Sequence, residues 1–253
     1  MITEQIAACA QLVERGDPDR FAATMAAPVA ARRVLFPLYA FNLEIARAPW
    51  MSAEPLIAEM RLQWWHDALE EIAAGGPVRR HEVASPLADV LDHEAATLLM
   101  GCVDARRREA QRLPMAGADD LADYVAATAG TLMWVAARAL GSTQEARARD
   151  LGAASGLANY FLGVPLFLAR AVNPLPEMTT RHFQDLVRAH LDKARRPGGG
   201  GRPSAPQRLA ELAGWRAAGI LSRALRDPAA IPEGRLAEPE ALRRLGLLRA
   251  RYF

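Results

Sequence analysis

The sequence predicts an all-α protein with a single domain, built as a bundle of helices. Apolar residues recur at three- and four-residue steps in most segments, which is the period of an amphipathic helix, and no segment alternates strictly like a half-buried strand. Of the 253 residues 51% are hydrophobic, enough for one large core, and no linker divides the chain near its middle. A long uncharged run, residues 151–169, is expected at the centre of that core.

The run at residues 151–169 predicts a central helix surrounded by other helices. Gly152 and Gly156 would let a neighbouring backbone come close. A membrane span is the alternative, because about 20 apolar residues cross the hydrocarbon core of a bilayer. The glycines and alanines of the run contribute little transfer free energy, and Asn159 and Pro165 lie inside it. The composition therefore favours a buried helix.

The N-terminal part of the chain predicts three helices. The first spans residues 3–15 and ends at the Gly16-Asp17-Pro18 turn. The second spans residues 29–47 and contains Pro37, which removes one backbone donor and is expected to bend it. The third begins with Ser52 as N-cap and Pro55 in the first turn, and runs to about residue 74 before two glycines.

The remaining segments continue the helical pattern. Ser85-Pro86 is expected to start a helix that reaches Leu113, and residues 119–140 form another. Thr179 or Thr180 caps a helix that reaches about residue 194. Residues 195–206 contain four successive glycines and three prolines and predict a flexible loop. Two closing helices follow, at residues 207–226 and 238–249.

The charge balance and the two cysteines limit which classes of partner and which cellular compartment we expect. The 31 basic residues nearly balance the 29 acidic ones, which argues against a nucleic-acid partner. Cys9 and Cys102 lack metal-ligand spacing, and the first nine residues lack a basic region, so we expect a reducing, cytoplasmic location. Residues 181–208 carry seven basic groups against Asp185 and Asp192, which suggests peripheral contact with an inner membrane, unless these groups are simply solvated.

Residues 119–123 read Asp-Asp-Leu-Ala-Asp, a pattern that can hold magnesium ions against a diphosphate. The same acids also stand where a helix is expected to start, and there they complement free backbone donors and the helix dipole. A metal clamp needs a second carboxylate set, which the central run does not provide. We therefore interpret Asp119, Asp120 and Asp123 as helix-start acids and expect no metal site.

Several segments together resemble the squalene/phytoene synthase family. In chain order they are Asp19-Arg20-Phe21, Leu38-Tyr39-Ala40-Phe41-Asn42, residues 61–69, Tyr124 with Ala129-Gly130, and Asp150-Leu151-Gly152 with Leu157 and Asn159. The resemblance covers about residues 17–170. It implies the all-helical isoprenoid-synthase fold, in which family members join two prenyl diphosphates head to head with magnesium ions held by two aspartate-rich motifs.

The sequence departs from the family at both aspartate-rich motifs. The acidic positions of the first motif fall on Ala46, Arg47 and Trp50, and those of the second fall on Gly163, Leu166 and Phe167. Loss of the metal ions removes several kcal/mol of leaving-group stabilisation, and each 1.36 kcal/mol is about tenfold in rate. This pattern resembles the metal-motif-poor branch of the family that includes a mitochondrial assembly factor for respiratory complex I.

Two functions remain open from the sequence. The first is a non-catalytic member that binds a protein partner or an isoprenoid lipid in its former cavity, without a cofactor. The second is a prenyl transferase or prenyl-diphosphate binder that uses unusual ligands, with Arg47 or Arg61 on the phosphate and magnesium as cofactor. The residues expected to line the cavity are Tyr39, Phe41, Arg47, Arg61, Trp64, Trp65 and Asn159. The resemblance places them on residues 29–47, 54–74 and 151–169.

Overall fold

The computed structural model describes residues 4–252, and within that range every regular element is helical. The all-α prediction is therefore confirmed. The helices are α1 Glu4–Gly16, α2 Pro18–Met25, α3 Val29–Arg47, α4 Pro55–Ala73, α5 Ala84–Ala88, α6 His93–Ala105, α7 Arg107–Ala110, α8 Ala118–Val125, α9 Thr131–Ala139, α10 Glu145–Leu168, α11 Thr180–Arg195, α12 Ala205–Glu211, α13 Ala217–Arg226 and α14 Glu240–Tyr252.

Helix α10 is the central element, as the uncharged run predicts. It packs against α8, α9, α11, α12 and α13. By length and composition it is also a candidate membrane span. Leu151, Ala154, Leu157, Ala158 and Phe161 are each at most 8% exposed. Burial from several directions explains why the helix lacks a polar face, so its apolarity is that of a core helix.

Helix α3 has the predicted bounds and is the second buried element. Seven consecutive residues, 35–41, are all buried, and Pro37 lies within this stretch. Beyond Arg47 the chain tightens into a 3₁₀ turn, Ala48–Trp50, because Pro49 cannot continue the α-helical hydrogen bonds. This turn carries Trp50 toward the C-terminal half of α10, where the ring of Trp50 contacts Phe167.

Some predicted helix boundaries were wrong for local reasons. Ser52 is not the N-cap of α4, since Glu54 holds that position and Ser52 Oγ accepts the backbone N–H of Glu54 at 3.1 Å. The predicted helix from Ser85 to Leu113 is three helices, α5 to α7. The break comes at Asp92, whose carboxylate accepts the Ala95 N–H at 2.8 Å and starts α6 afresh.

Two further helices predicted as continuous are interrupted. Between α8 and α9 the chain makes a π turn, Ala126–Gly130, which lies against α10. Between α12 and α13 it makes a 3₁₀ turn, Leu212–Gly214. Gly214 lies so close to α10 that a Cβ there would be 2.6 Å from the hydroxyl of Ser155. Both interruptions occur where α10 packs closely against the chain. The periodicity of a segment does not reveal such contacts, because α10 is a separate part of the sequence.

The C-terminal third follows the predicted order. Thr179 caps α11 by accepting the His182 N–H at 3.2 Å. In the glycine-rich segment the Gly198 N–H donates to Asp150 at 2.9 Å, and Arg147 Nη1 donates to the Gly201 carbonyl at 2.9 Å. These bonds tie the segment to α10. The flexibility expected for residues 195–206 stays a prediction.

Candidate functional site

The positions of both aspartate-rich motifs come together in space, although more than a hundred residues separate them in the chain. The end of α3 and the following 3₁₀ turn face the last two turns of α10 across a cleft of about 370 Å³. We call this the motif cleft. It is lined by Ala46, Arg47, Trp50, Met51, Gly163, Leu166, Phe167 and Arg170. All six substituted motif positions are among its lining residues.

An aromatic pair connects the two sides of the motif cleft. The ring centroids of Trp50 and Phe167 are 4.8 Å apart, at an interplanar angle of 59°. The guanidinium carbon of Arg112 lies 4.3 Å from the centre of a Trp50 ring, on its face. Trp50 and Phe167 stand at the last acidic position of each motif. Apolar contact therefore occurs where the family places carboxylates around metal ions.

The charge of the motif cleft is opposite to that of a magnesium site. Its charged lining residues are Arg47 and Arg170, and none of its eight lining residues, all within the described range, carries a carboxylate. Magnesium requires oxygen ligands, mainly carboxylates and waters, and two arginines repel a divalent cation. The residues present do not fit the magnesium ions that the family implies.

On the other side of the Trp50–Phe167 pair lies a second cleft of about 470 Å³, which we call the tyrosine cleft. It is lined by Trp50, Glu109, Arg112, Leu113, Pro114, Met115, Tyr160, Phe167, Ala171, Val172, Asn173 and Pro174. The Tyr160 hydroxyl donates to the Pro174 carbonyl at 2.5 Å. This bond fixes the loop after α10 against the cleft wall.

A polar network closes the inner end of the tyrosine cleft. Arg106 Nη1 donates to the Tyr124 hydroxyl at 3.1 Å and lies 3.6 Å from Glu109 Oε1. The Tyr124 hydroxyl in turn donates to Glu109, and Arg106 Nη2 donates to Asn42 at 3.5 Å. Burial raises the pKa of Tyr124 well above its usual value. These groups are bound to one another, so the network holds a neutral tyrosine.

Sequence reasoning missed Arg106 and Glu109. They lie in residues 104–112, where four arginines, one aspartate and one glutamate give the composition of a solvated helix face. The available signal was Tyr124 and Asn42, two positions of the family resemblance, because a buried tyrosine hydroxyl needs a hydrogen-bonding partner.

The third cleft lies between α3 and α4 and has a volume of about 480 Å³. This tryptophan cleft is lined by Glu44, Ala48, Met51, Ile57, Met60, Arg61, Trp64, Trp65 and His81. The ring centroids of Trp64 and Trp65 are 4.9 Å apart, and each lies within 5.3 Å of the His81 ring. Arg61 is exposed at its rim, with Nη1 3.7 Å from Met51 Sδ. Met51 also lines the motif cleft, so the two clefts are neighbours that share this side chain.

The residues expected in one cavity are separated by the structure. Arg61, Trp64 and Trp65 line the tryptophan cleft, and Arg47 lines the motif cleft. Asn159 is exposed and lines a narrow cleft of about 20 Å³ beside α2 and α13. Because residues 151–169 carry no charged side chain, their sequence does not indicate which turn of α10 faces which neighbour.

Tyr39 and Phe41 are core residues and line none of the clefts described above. Tyr39 is 3% exposed, and the Arg20 guanidinium carbon lies 4.9 Å from its ring centre. Burial raises the pKa of Tyr39 to about 12. Phe41 is fully buried and packs edge-on against Trp65 at 5.4 Å. The side of α3 that carries them is enclosed in the core, and their place in a ligand cavity stays a prediction.

The acids of residues 119–123 stand at the start of α8. Both oxygens of Asp120 accept hydrogen bonds from Arg108 at 2.6 Å, and Oδ2 also accepts the Ala116 N–H at 2.7 Å. The hydrogen bonds from Arg108 hold the pKa of Asp120 below its usual value. Asp119 and Asp123 are exposed. Asp120 therefore binds the protein itself, and the interpretation of the three as helix-start acids stays a prediction.

A different group of possible metal ligands lies on α4. Ligand atoms of His66, Asp67 and Glu70 all lie within 4.8 Å of one another. Sequence reasoning did not single out this group. Asp67 already accepts a hydrogen bond from Gln63 at 2.6 Å, and Glu70 is exposed.

Solved structures with the same fold are synthases of the squalene type. A dehydrosqualene synthase in complex with ligand superposes with a TM-score of 0.68 at 14% identity, covering 98% of this chain and 95% of that one. A squalene synthase from Alicyclobacillus acidocaldarius gives a TM-score of 0.57 at 17% identity, covering 98% and 90%. At these identities the likeness establishes the isoprenoid-synthase-like fold.

Curated relatives carry a different description. The complex I assembly factor 6 homolog of Drosophila melanogaster is 29% identical over 167 residues, which are 62% of this chain and 50% of that protein. Complex I assembly factor 6 of Mus musculus is 24% identical over 193 residues, 73% of this chain and 58% of that protein. The matches thus span little more than half the length of these relatives. The sequence profile described as Squalene/phytoene synthase matches residues 13–245, and the chain therefore belongs to the squalene/phytoene synthase family.

Proposed function

We propose that this protein is a non-catalytic member of its family that acts by binding a partner protein during assembly of a respiratory complex. The observation that carries the proposal is the motif cleft, in which six former acidic positions converge without a carboxylate. Ionisation of an allylic diphosphate places negative charge on the leaving group, and metal ions normally stabilise that charge. Arg47 and Arg170 alone do not replace two sets of metal ligands.

The first test is catalysis. The purified full chain is incubated with farnesyl or geranylgeranyl diphosphate and magnesium, and released pyrophosphate is measured beside an active dehydrosqualene synthase. We expect no release above background. Magnesium-dependent turnover that is lost in Asp120→Asn or Asp123→Asn would contradict the proposal, because it would assign the metal to residues 119–123.

The partner is proposed from the curated relatives, which are named as assembly factors of NADH dehydrogenase (ubiquinone) complex I. Around the clefts several large apolar side chains are exposed, as a protein interface requires. They are Met51, Leu56, Ile57, Met60, Leu113, Leu166 and Leu168. Four arginines border them: Arg47, Arg61, Arg112 and Arg170. An apolar surface with a basic border fits a partner segment that carries acidic residues beside its apolar ones.

The second test is genetic. Deletion of the gene should lower the amount of assembled NADH dehydrogenase in the membranes, measured on native gels and by NADH oxidation. The unaltered gene should restore it, and Leu166→Asp should not, because Leu166 is 71% exposed on the motif cleft. Asp123→Asn is the matched control and should restore it fully. An unchanged enzyme level after deletion would refute the assembly role.

A second candidate function is binding of an isoprenoid lipid or prenyl diphosphate without metal. Arg47 and Arg170 favour it, since arginine binds phosphate through paired N–H donors. Equilibrium binding of farnesyl diphosphate in EDTA tests this function. A dissociation constant about tenfold higher for Arg47→Ala, equivalent to about 1.4 kcal/mol, would support it. Equal binding by parent and variant would exclude the motif cleft as the phosphate site.

A further inference from the structure

Helix α14 turns two of its arginines toward the protein and most of its large apolar residues toward solvent. Arg243 donates to Asp19 at 2.9 Å, and Arg251 donates to the Ala26 carbonyl at 2.9 Å, so both arginines point toward the body of the protein. Between them Gly246 lies against Trp215, where a Cβ would be 2.6 Å from a ring carbon. The side of α14 that faces the protein therefore carries two bonded arginines, together with Gly246 and the half-buried Leu247.

The opposite side of α14 is apolar and open to solvent. At about 100° per residue, positions 242, 245, 248 and 252 point away from the side that carries Arg243 and Arg251. Leu242, Leu245, Leu248 and Tyr252 are 57%, 62%, 55% and 70% exposed. None of residues 240–252, all of which the structure describes, is buried. A helix of a water-exposed surface normally shows the reverse arrangement.

The neighbouring turn extends this apolar surface. The hydrogen bond from Arg251 places the end of α14 against the turn between α2 and α3. Met25 and Val29, on either side of that turn, are 42% and 51% exposed. We call the six exposed apolar residues together the α14 face.

The charge beside the α14 face is basic. Helix α14 contains four arginines and one glutamate, and that glutamate, Glu240, is paired with Arg244. Arg249 is exposed and, at about 100° per residue, lies on the same side of the helix as the leucines. Leucines and an aromatic residue on one side, with arginines at the edges, are the composition of helices that lie in the interface of an anionic bilayer.

We infer that the α14 face binds the surface of an anionic lipid bilayer, with its leucines in the acyl boundary and Arg249 at the phosphates. The inference is independent of the proposed function. It also differs from the membrane contact predicted for residues 181–208, where Arg181 and Arg188 lie 3.7 and 3.8 Å from Asp185. Those arginines have an acidic neighbour, whereas the α14 face combines charge with apolar surface.

The test is flotation of the full chain with phosphatidylcholine vesicles and with mixed phosphatidylcholine–phosphatidylglycerol vesicles. We expect binding to the mixed vesicles that weakens as salt rises. The double variant Leu245→Ser/Leu248→Ser should lower the partition coefficient at least about tenfold, since each leucine contributes roughly 1 kcal/mol or more on burial. Leu56→Ser/Leu166→Ser, two leucines that are each 71% exposed on α4 and α10, is the matched control and should bind as the parent does.

Arg249→Gln provides a test that does not disturb folding, because the side chain is exposed. It should lower binding to the mixed vesicles roughly fivefold at low salt, which corresponds to about 1 kcal/mol per charge. Arg181→Gln/Arg188→Gln should leave binding unchanged. Equal flotation with both vesicle types, or unchanged binding of the α14 variants, would overturn the inference. So would size-exclusion chromatography that shows a parent dimer lost in the leucine variant, because the occupant would then be a second copy.

Discussion

The two halves of α10 differ in how closely they are packed. In the first half a Cβ on Gly152 would be 2.6 Å from the Ala129 carbonyl oxygen, and one on Gly156 would be 2.7 Å from the Ala129 Cβ. In the second half a Cβ on Gly163 would meet only the Phe167 ring, at 3.5 Å. Leu166, near the end of the helix, is 71% exposed. The first half serves packing, and the second half borders open clefts.

This difference explains which parts of the family pattern the chain keeps. Gly152, which belongs to the family resemblance, lies where a π turn approaches α10, and any larger side chain there would have to displace backbone. The second motif lies on the half that faces the clefts, where Gly163, Leu166 and Phe167 replace acids without disturbing the fold. Loss of the metal ligands is therefore compatible with a stable helical bundle.

The largest effect is expected for Gly156→Leu, in the closely packed half. Overpacking should lower the free energy of unfolding by about 1 to 3 kcal/mol, because Ala129 and Val125 must move aside. Urea denaturation followed by circular dichroism measures this change. A variant as stable as the parent would remove the distinction between the two halves.

A smaller effect is expected at the ion pair between Arg108 and Asp120. This pair lies near Tyr160, on the second half of α10. Asp120→Asn should cost about 1 kcal/mol at neutral pH, because the hydrogen bonds from Arg108 weaken. The hydrogen bonds from Arg108 hold the folded-state pKa of Asp120 below the usual pKa of an aspartate. Its stabilisation is therefore fully present above that usual pKa and is lost as pH falls through the folded-state pKa.

The pH dependence of the unfolding free energy distinguishes the contribution of Asp120 from that of Asp123. Denaturation curves of the parent between neutral pH and about pH 3 should show this loss, and those of Asp120→Asn should lack that contribution. Asp123→Asn, exposed one turn further along α8, is the matched control and should keep the parent's profile. Identical profiles for all three proteins would show that the Arg108 pair contributes nothing measurable.

The smallest effect is expected for Gly163→Ala, in the open half. The added methyl group would make an ordinary contact with Phe167, so the unfolding free energy should change by less than about 0.5 kcal/mol. Thermal unfolding of Gly163→Ala and Gly156→Leu under the same conditions compares the two losses of stability directly. A loss as large as that of Gly156→Leu would mean that the motif cleft is closed in solution.

The sequence by itself determined the helical class, the bounds of α3, the Thr179 cap of α11 and the loss of acids at both motifs. Each of these depends on residues that are near one another in the chain: a periodic apolar pattern, a capping side chain, or the identity of a residue at a recognised position. They could be predicted because no distant contact changes them.

Only the tertiary structure decided where these residues lie relative to one another. It placed Tyr39 in the core, Asn159 in a different cleft from Phe167, and Trp50 against Phe167. It also turned the leucines of α14 to solvent. A periodic pattern fixes which residues share a helix face, but the neighbour that covers a face comes from a distant part of the chain, and burial is a property of that pairing.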